Sequence, residues 1–495
     1  MSIQEKNAKM SKLLRSKAQE FLSSRKSSHI LEEIVRHFNS GSDVNSCLLA
    51  LELIFTTLLK DRHMRIEITP FKPVQHTPEN QYKEWLQNTY EECFSKILCC
   101  ADHPSNKVQI QSFTTAMNLL SYEGKFPLEQ KGCLESYVPL GKLKATLLKM
   151  LTGNKNTSNL IKKFEEYLEY NDMLFFTWKV LPSITAKSNP NDIYIMNYLN
   201  LLDKMHVEEN ESKNCLCYGN EGDVFSYDEN VTKKCLNKVW SCMVRWEPSS
   251  STHKELLAVL LEKILPHLDK PLLLTDFLMD SLDVGGAVSL LALQGIFTLI
   301  QKYNLEYPNI YGKLYSMFEP EIFHTKYKAR LFQLADLFLS STHLPESLVA
   351  AFVKRMARLA LLAPSEDTIV ICRFIGNLIL RHPGLKVLID HPTGGTTSSD
   401  PYLMDESDPM KSNAINSSLW ELKTLQHHMI PNVASAARFI DNPLPKVEWD
   451  LNEALNSTSD DIFDKELKRN SRLITLAISK PNPNEIDKFA QFWEL

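Results

Sequence analysis

Catalysis and metal binding leave cysteines, histidines, carboxylates or glycines at set spacings, and this chain offers a few such groups to weigh. Cys215, Cys217, Cys235 and Cys242 lie in or beside an acidic stretch. Two thiols one residue apart, followed by distant single ones, do not match the paired spacings of a zinc finger. His427 and His428 are adjacent, so on a helix they would point about 100° apart and could not share an ion. Gly285-Gly286 and Gly394-Gly395 are not followed by the lysine and hydroxyl residue of a phosphate-cradling loop. Serines, histidines and aspartates are plentiful, yet none stands in a nucleophile elbow. The expectation is a chain without catalytic residue, cofactor or metal, which acts by recognition.

Recognition turns attention to the basic residues. Lys354, Arg355 and Arg358 share a sector of about 100° on one predicted helix, and Lys326, Lys328 and Arg330 enrich the start of the preceding one. Such a stripe could meet RNA phosphate or an acidic protein, although a solvated face is the commoner fate of exposed basic residues. Residues 1–30 carry Lys6, Lys9, Lys12, Arg15, Lys17, Arg25 and Lys26 against Glu5 and Glu20. That stretch suits a nuclear import signal, with an RNA-touching arm or a plain charged helix as alternatives. The formal net charge of −5 argues against a chain that coats nucleic acid with its whole surface.

These residues need elements to position them, and the elements read as helices. Helix starts fall near Thr252, Leu272, Gly286, Pro308, Thr325, Pro345 and Ser365. Thr252-His253-Lys254-Glu255 has the form of a capping box. Tyr327, Leu331, Leu334, Ala335 and Phe338 recur at helical spacing on one side of a segment that cannot bury that side alone. One start roughly every 19 residues gives pairs of about 38, the unit length of helical-pair solenoids. The expected fold is therefore all-α, a HEAT/armadillo-like helical-repeat solenoid.

The N-terminal half reads the same way, with a single long helix expected over 158–181 and a connector over 61–78. The organisation expected is helical repeats over 1–205, an acidic mobile loop over 206–230, a second helical-repeat domain over 231–440 and an acidic tail over 441–495. Trp449, Phe463, Phe489, Phe492 and Trp493 stand in that tail as isolated anchors. Ten cysteines without a framework, and a charged Met1–Phe21 with no signal peptide, suit a reducing compartment. The uncharged run Val284–Gln301 has the length of a membrane span. Its neighbours 345–363 and 366–380 carry Lys354, Arg355, Arg358 and Arg373, so buried helices of an array are the preferred reading and a multi-pass nuclear-envelope protein the alternative.

After the repeats come Asp400-Pro401-Tyr402, Asp405-Glu406-Ser407-Asp408-Pro409, Ala414, and the unbroken run Ser417–Ala434, which includes Leu419-Trp420-Glu421-Leu422 and His427-His428-Met429-Ile430-Pro431. These blocks closely resemble the signature of the CCAAT-binding-factor family of nucleolar proteins. Leu290-Leu291-Ala292-Leu293, Ile296-Phe297, Tyr307-Pro308, Tyr311 and Lys313-Leu314-Tyr315 resemble a second segment of that family. The resemblance implies a nucleolar, non-enzymatic factor that pairs with nucleolar protein fourteen. It further implies work in the pre-ribosomal particle, supporting precursor rRNA processing and assembly or export of the small subunit, with direct rRNA contact an open question. A helical-repeat adaptor in nuclear transport is the competing reading.

Within the signature blocks the expected partner-binding residues are Tyr307, Tyr311, Lys313, Tyr315, Asp400, Pro401, Asp405, Asp408 and Trp420. Ser417 or Ser418 would cap a helix starting at Leu419. One departure stands out: family members often carry an aromatic residue after the histidine near 427, where this chain has His428-Met429.

Overall fold

The computed structural model describes residues 3–23, 28–39, 43–66, 77–128, 138–211, 214–218, 225–305, 309–390 and 400–473. Helices account for nearly all the regular structure there, and no strand occurs among the described residues. The chain divides into two compact units, Met1–Gly295 and Ile296–Leu495.

The first unit holds α1 (Ile3–Ser23), α2 (Ser28–Asn39), α3 (Val44–Lys60), α4 (Pro78–Cys99), α5 (Asn106–Lys125), α6 (Leu140–Met150), α7 (Ser158–Leu168), α8 (Asn171–Ile184), α9 (Asp192–Lys204), α10 (Glu229–Met243), α11 (Ser250–Val259) and α12 (Thr275–Asp283). From α3 to α11 each helix packs on its second neighbour: α3, α5, α7, α9 and α11 stack in one row, and α4, α6, α8 and α10 in another. Two interleaved rows are what a helical repeat produces, because each hairpin buries its apolar face only against the next. The residues do this in a recognisable way. Val108, Phe113, Ala116, Met117 and Leu120 of α5 are buried at helical spacing, and Phe113 meets Phe164 of α7 edge-on at 6.1 Å.

Local signals set the helix ends. Thr77 caps α4, accepting from the Asn80 amide with Pro78 in the first turn, and Asn191 caps α9 by accepting from Tyr194. The capping box expected at Thr252 does not form. The cap position belongs to Ser249, and the Thr252 hydroxyl lies buried one turn in, donating to Asp192 Oδ1 at 3.0 Å. The helix expected over 158–181 is broken at Tyr170, because the backbone of Asn171 bonds outward to the Asn214 carbonyl and its side chain grips Asn210.

The stretch 206–230, expected to be mobile from its charge, is held at its described residues. The Asp172 carboxylate, fully buried, accepts the amides of Met173 at 2.8 Å, Leu216 at 2.9 Å and Cys217 at 2.7 Å. Trp178 donates its indole N–H to the His206 carbonyl. Gly124 of α5 makes room for the loop, since a Cβ there would stand 2.5 Å from that of Cys217. Burial pushes the Cys217 thiol well up, with the Asp172 charge adding to the effect.

Helix α13 (Gly286–Tyr303) follows two glycines with positive φ, Gly285 at 87° and Gly286 at 62°, a turn that a side chain would strain. The second unit then builds on α14 (Ile310–Ser316), α15 (Lys328–Phe338), α16 (Glu346–Ala360) and α17 (Ser365–Arg381), and continues through α18 (Trp420–Leu425), α19 (Pro431–Ala437), α20 (Leu451–Leu455) and α21 (Ser459–Leu473). Helices α16 and α17 form its centre. Both are buried on most sides because α18 and α19 and the short turns around them wrap over them. Trp449 also packs back here: its amide and carbonyl pair with the Asn377 side chain, both at 2.8 Å, and its ring fills the space that Gly376 leaves. Phe463 is instead 67% exposed, and Phe489, Phe492 and Trp493 lie outside the described residues. No helix among the described residues is long and apolar enough to cross a membrane.

Candidate functional site

Helix α16 carries one lysine in the middle of an apolar run, Val349-Ala350-Ala351-Phe352-Val353-Lys354. Its side chain has no exposed surface, and the ammonium lies 2.8 Å from Glu421 Oε1 and 3.1 Å from Asp400 Oδ2. It also donates to the Ser418 carbonyl at 2.5 Å. Arg358 follows one turn later on the same face. It reaches Asp400 Oδ2 at 2.6 Å and Glu421 Oε1 at 2.7 Å. Two cations thus meet two carboxylates, and the cluster is neutral as a whole.

The signature closes this cluster from the other side. Asp400 accepts from the Ser417 hydroxyl at 2.5 Å, the Trp420 indole N–H at 2.8 Å and the Tyr402 amide at 3.1 Å. The Trp420 ring lies beneath both cations, 5.4 Å from Lys354 and 4.6 Å from Arg358. Burial works against the charge on Asp400, but the hydrogen bonds from Ser417, Trp420 and Tyr402 and the positive charge of Lys354 outweigh it and hold the carboxyl far below the usual carboxylate range. For Glu421, fully buried, burial is the larger effect and pushes the carboxyl up, while Lys354 and Arg358 pull it back.

Arg355 completes the set on an adjacent face. It donates to the Phe318 carbonyl at 2.8 Å and the Met404 carbonyl at 3.1 Å, and lies 4.5 Å from the ring centroid of Tyr315. The Tyr315 hydroxyl meets that of Tyr402 at 2.7 Å. Every basic residue at this level of α16 is therefore spent on fastening the segment 400–425 to the helix. Neither a solvated face nor a phosphate-facing stripe describes them, because the acidic partners come from the signature itself.

The other expected contact residues scatter. Lys328 pairs with Glu366 at 3.1 Å and with Asp367 at 3.0 Å, whereas Lys326 and Arg330 are exposed. Tyr315 is fully buried, Tyr311 is half-buried against Phe338, Lys313 is half-buried, and Tyr307 lies outside the described residues. Trp420 is tied inward through its N–H, while its flank lines a cleft of about 450 Å³ with Leu388, Leu419 and Ile440. Pro401 and Asp405 are exposed, and Asp408, 41% exposed, caps the turn Pro409–Lys411 and pairs with Lys411. Beside them Leu403 and Met410 are 52% and 48% exposed, so the loop crest joins apolar and acidic side chains.

Three further residues complete the site: Glu421 and Tyr402, to which sequence reasoning gave no role, and Ser417, which it expected to cap a helix. Ser417 bonds to Asp400 in place of capping a helix, and α18 begins at Trp420 with no side-chain cap. A signal for Glu421 was available. A lone lysine inside an apolar helix requires a buried carboxylate, and the signature supplies two. The departure at 428–429 stands in a turn, with Met429 92% exposed and His428 Nδ1 accepting from the Ile430 amide.

The acidic partner makes a testable difference. A carboxylate whose folded value is depressed contributes stability above its unfolded value, and this is lost as pH falls through the folded one. Asp400→Asn should therefore lower the urea midpoint at pH 7, and the gap from the natural chain should narrow from about pH 4 downward, as the natural Asp400 also takes up its proton. Urea unfolding across this range checks it; a gap that does not change with pH would contradict the assignment of Asp400 as an ionised anchor.

The CBF/Mak21 family model matches residues 289–437, which include α16 and all of the cluster. The chain is 40% identical over 480 residues to nucleolar complex protein 4 homolog B of Xenopus laevis, covering 94% of this chain and 91% of that protein. It is 37% identical over 414 residues to the nucleolar complex protein 4 homolog of Gallus gallus, 81% of each chain. The Homo sapiens homolog is 36% identical over 399 residues, 79% of this chain and 77% of that protein.

Proposed function

The chain belongs to the family of nucleolar complex protein 4 homologues, within the CBF/Mak21 family, and from that premise we propose that it serves ribosome biogenesis in the nucleolus as a non-enzymatic helical scaffold. Its specific task is assembly and export of the small subunit and processing of its precursor rRNA. It does so in complex with nucleolar protein fourteen, on the pre-ribosomal particle.

One observation carries the scaffold reading: two carboxylates of the signature, Asp400 and Glu421, are consumed by two cations of α16. Lys354, Arg358, Asp400 and Glu421 balance inside the fold, which turns a long connecting segment into a fixed surface. What that surface offers outward is the crest of Pro401, Leu403, Asp405 and Met410, and this is the contact we assign to the protein partner. Apolar side chains at the centre and carboxylates at the rim suit a partner surface with exposed apolar and basic groups. Any RNA contact falls to Lys326 and Arg330, which keep their side chains in solvent.

Depletion of the protein should raise unprocessed small-subunit precursor rRNA. A tagged full chain should co-purify with nucleolar protein fourteen, and a Leu403→Ser/Asp405→Lys variant should lose that partner while keeping its own urea midpoint. Normal precursors after depletion, together with no small-subunit factors in the purification, would overturn the proposal.

A further inference from the structure

Helix α21 stands almost clear of the unit that carries it. Its start is firmly built: the Thr458 hydroxyl accepts from the Asp461 amide at 3.2 Å while the Asp461 carboxylate accepts from the Thr458 amide at 2.9 Å, a reciprocal cap. Ser459 donates to Glu366 Oε2 at 2.8 Å, and Ile462 is buried. Beyond that first turn the hold ends. Between Ser459 and Ser471 every residue except Ile462 and Glu466 is exposed, although a helix of about 12–15 residues is marginal in water without a packed face.

The outer face carries Phe463, 67% exposed, and Leu467, 57% exposed, four residues apart and so stacked on one side. Beside them runs a second line at the same spacing, Asp460, Asp464 and Lys468, all exposed. Among the described residues the ion pair within α21 lies elsewhere on the helix, between Arg469 and Glu466 at 3.9 Å. The helix dipole favours acids in the first turns and bases in the last, and so accounts for the order of the charges. It does not account for two large apolar side chains left in water at the middle of the face, where burial against a partner would be favourable.

The pattern is complementary to itself. A second α21 laid end for end on the first sets its Leu467 on Phe463 and its Phe463 on Leu467. The same flanks then meet, and Asp460 and Asp464 of each copy come level, to within about 3 Å of helical rise, with Lys468 of the other. Laid in the same direction, the two helices would set like charges against each other. We propose that the outer face of α21 is a two-fold contact between two copies of this chain, paired antiparallel through Phe463 and Leu467 and flanked by the Asp460, Asp464 and Lys468 charges. One helix face is small against the about 1,200–2,000 Å² of a standard interface, so the pair is a weak one. It is separate from the loop crest assigned to the protein partner, and the two contacts stand or fall independently.

Sedimentation equilibrium of the full chain tests this over about 1–200 µM, the range in which a small interface associates. The natural chain should pass from monomer to dimer with concentration. Phe463→Ser/Leu467→Ser should remain monomeric, and Lys468→Asp should weaken the dimer about tenfold or more, as should Asp460→Lys/Asp464→Lys. An equimolar mixture of the two charge variants should associate again, because each then offers the charges the other lacks, and this recovery also shows that α21 is intact in both. A monomer at every concentration would overturn the proposal, giving the face to a different protein or to no partner. Dimers indifferent to Phe463→Ser/Leu467→Ser would overturn it by placing the contact elsewhere, and a mixture no better than its components would overturn the antiparallel pairing.

Discussion

Lys354→Met should destabilise the second unit by about 3–5 kcal/mol, far beyond what a substitution at a solvated lysine costs. The methionine keeps the volume but removes one of two cations, so Asp400 and Glu421 are left facing Arg358 alone with an uncompensated negative charge inside the fold. Glu421→Leu should cost a similar amount by stranding Lys354. The double variant Lys354→Met/Glu421→Leu restores neutrality, because Arg358 and Asp400 remain as a pair at 2.6 Å. It should therefore be more stable than either single variant, a coupling that urea midpoints of the four proteins measure directly. Additive losses would mean that the two residues do not act on each other.

Asp172→Ala should cost the first unit about 2–6 kcal/mol. The buried amides of Leu216 and Cys217 lose their acceptor, and an unsatisfied buried group costs about 1–3 kcal/mol. Asp172→Asn should lie between the natural chain and alanine, since one oxygen remains to accept while the new amide group faces an N–H. Burial raises the Asp172 carboxyl, partly offset by the amides it accepts, and among the described residues hydrogen bonds hold the site. The local readout is Cys217. Its thiol is 3% exposed and held in the unreactive protonated form by burial, so maleimide labelling mapped by mass spectrometry should find it inert in the natural chain and labelled in the alanine variant. Inert Cys217 and an unchanged midpoint in that variant would contradict the pinning of this loop.

These two sites also mark where the sequence was legible. Helix starts announced by glycine and proline came out close to expectation: α13 begins at Gly286, α16 just after Pro345 and α17 at Ser365. The buried side of α15, with Leu331, Leu334, Ala335 and Phe338, is the one its spacing shows. Such signals are local, involving residues within a turn or two. The break at Tyr170 and the fastening of 214–218 depend on Asn171 and Asp172 meeting residues about forty positions later, and no spacing rule reaches that far.

The site divides in the same way. The signature blocks are recognisable as residues, and the family they indicate is the one to which the chain belongs. What each residue does was not legible, because Lys354, Arg355 and Arg358 have the spacing of an exposed stripe whether or not carboxylates stand opposite them. Hydrophobic context was the better guide. A cation set between Val353 and Met356 on a helix buried on most sides is a cation with a partner. Trp420, expected as a partner contact, is bound inward by Asp400 and so serves the cluster first.

The account rests on the signature segment being fastened to α16 from within. Hydrogen–deuterium exchange at the amides of 419–426 tests this most directly, since Gln426 and Lys423 donate within α18 and Leu419 donates to the Leu388 carbonyl at 2.8 Å. The natural chain should protect these amides strongly, and Lys354→Met should release them while α3 and α5 of the other unit stay protected. Equal protection in the two proteins, or rapid exchange in both, would contradict a charged cluster that holds the segment in place.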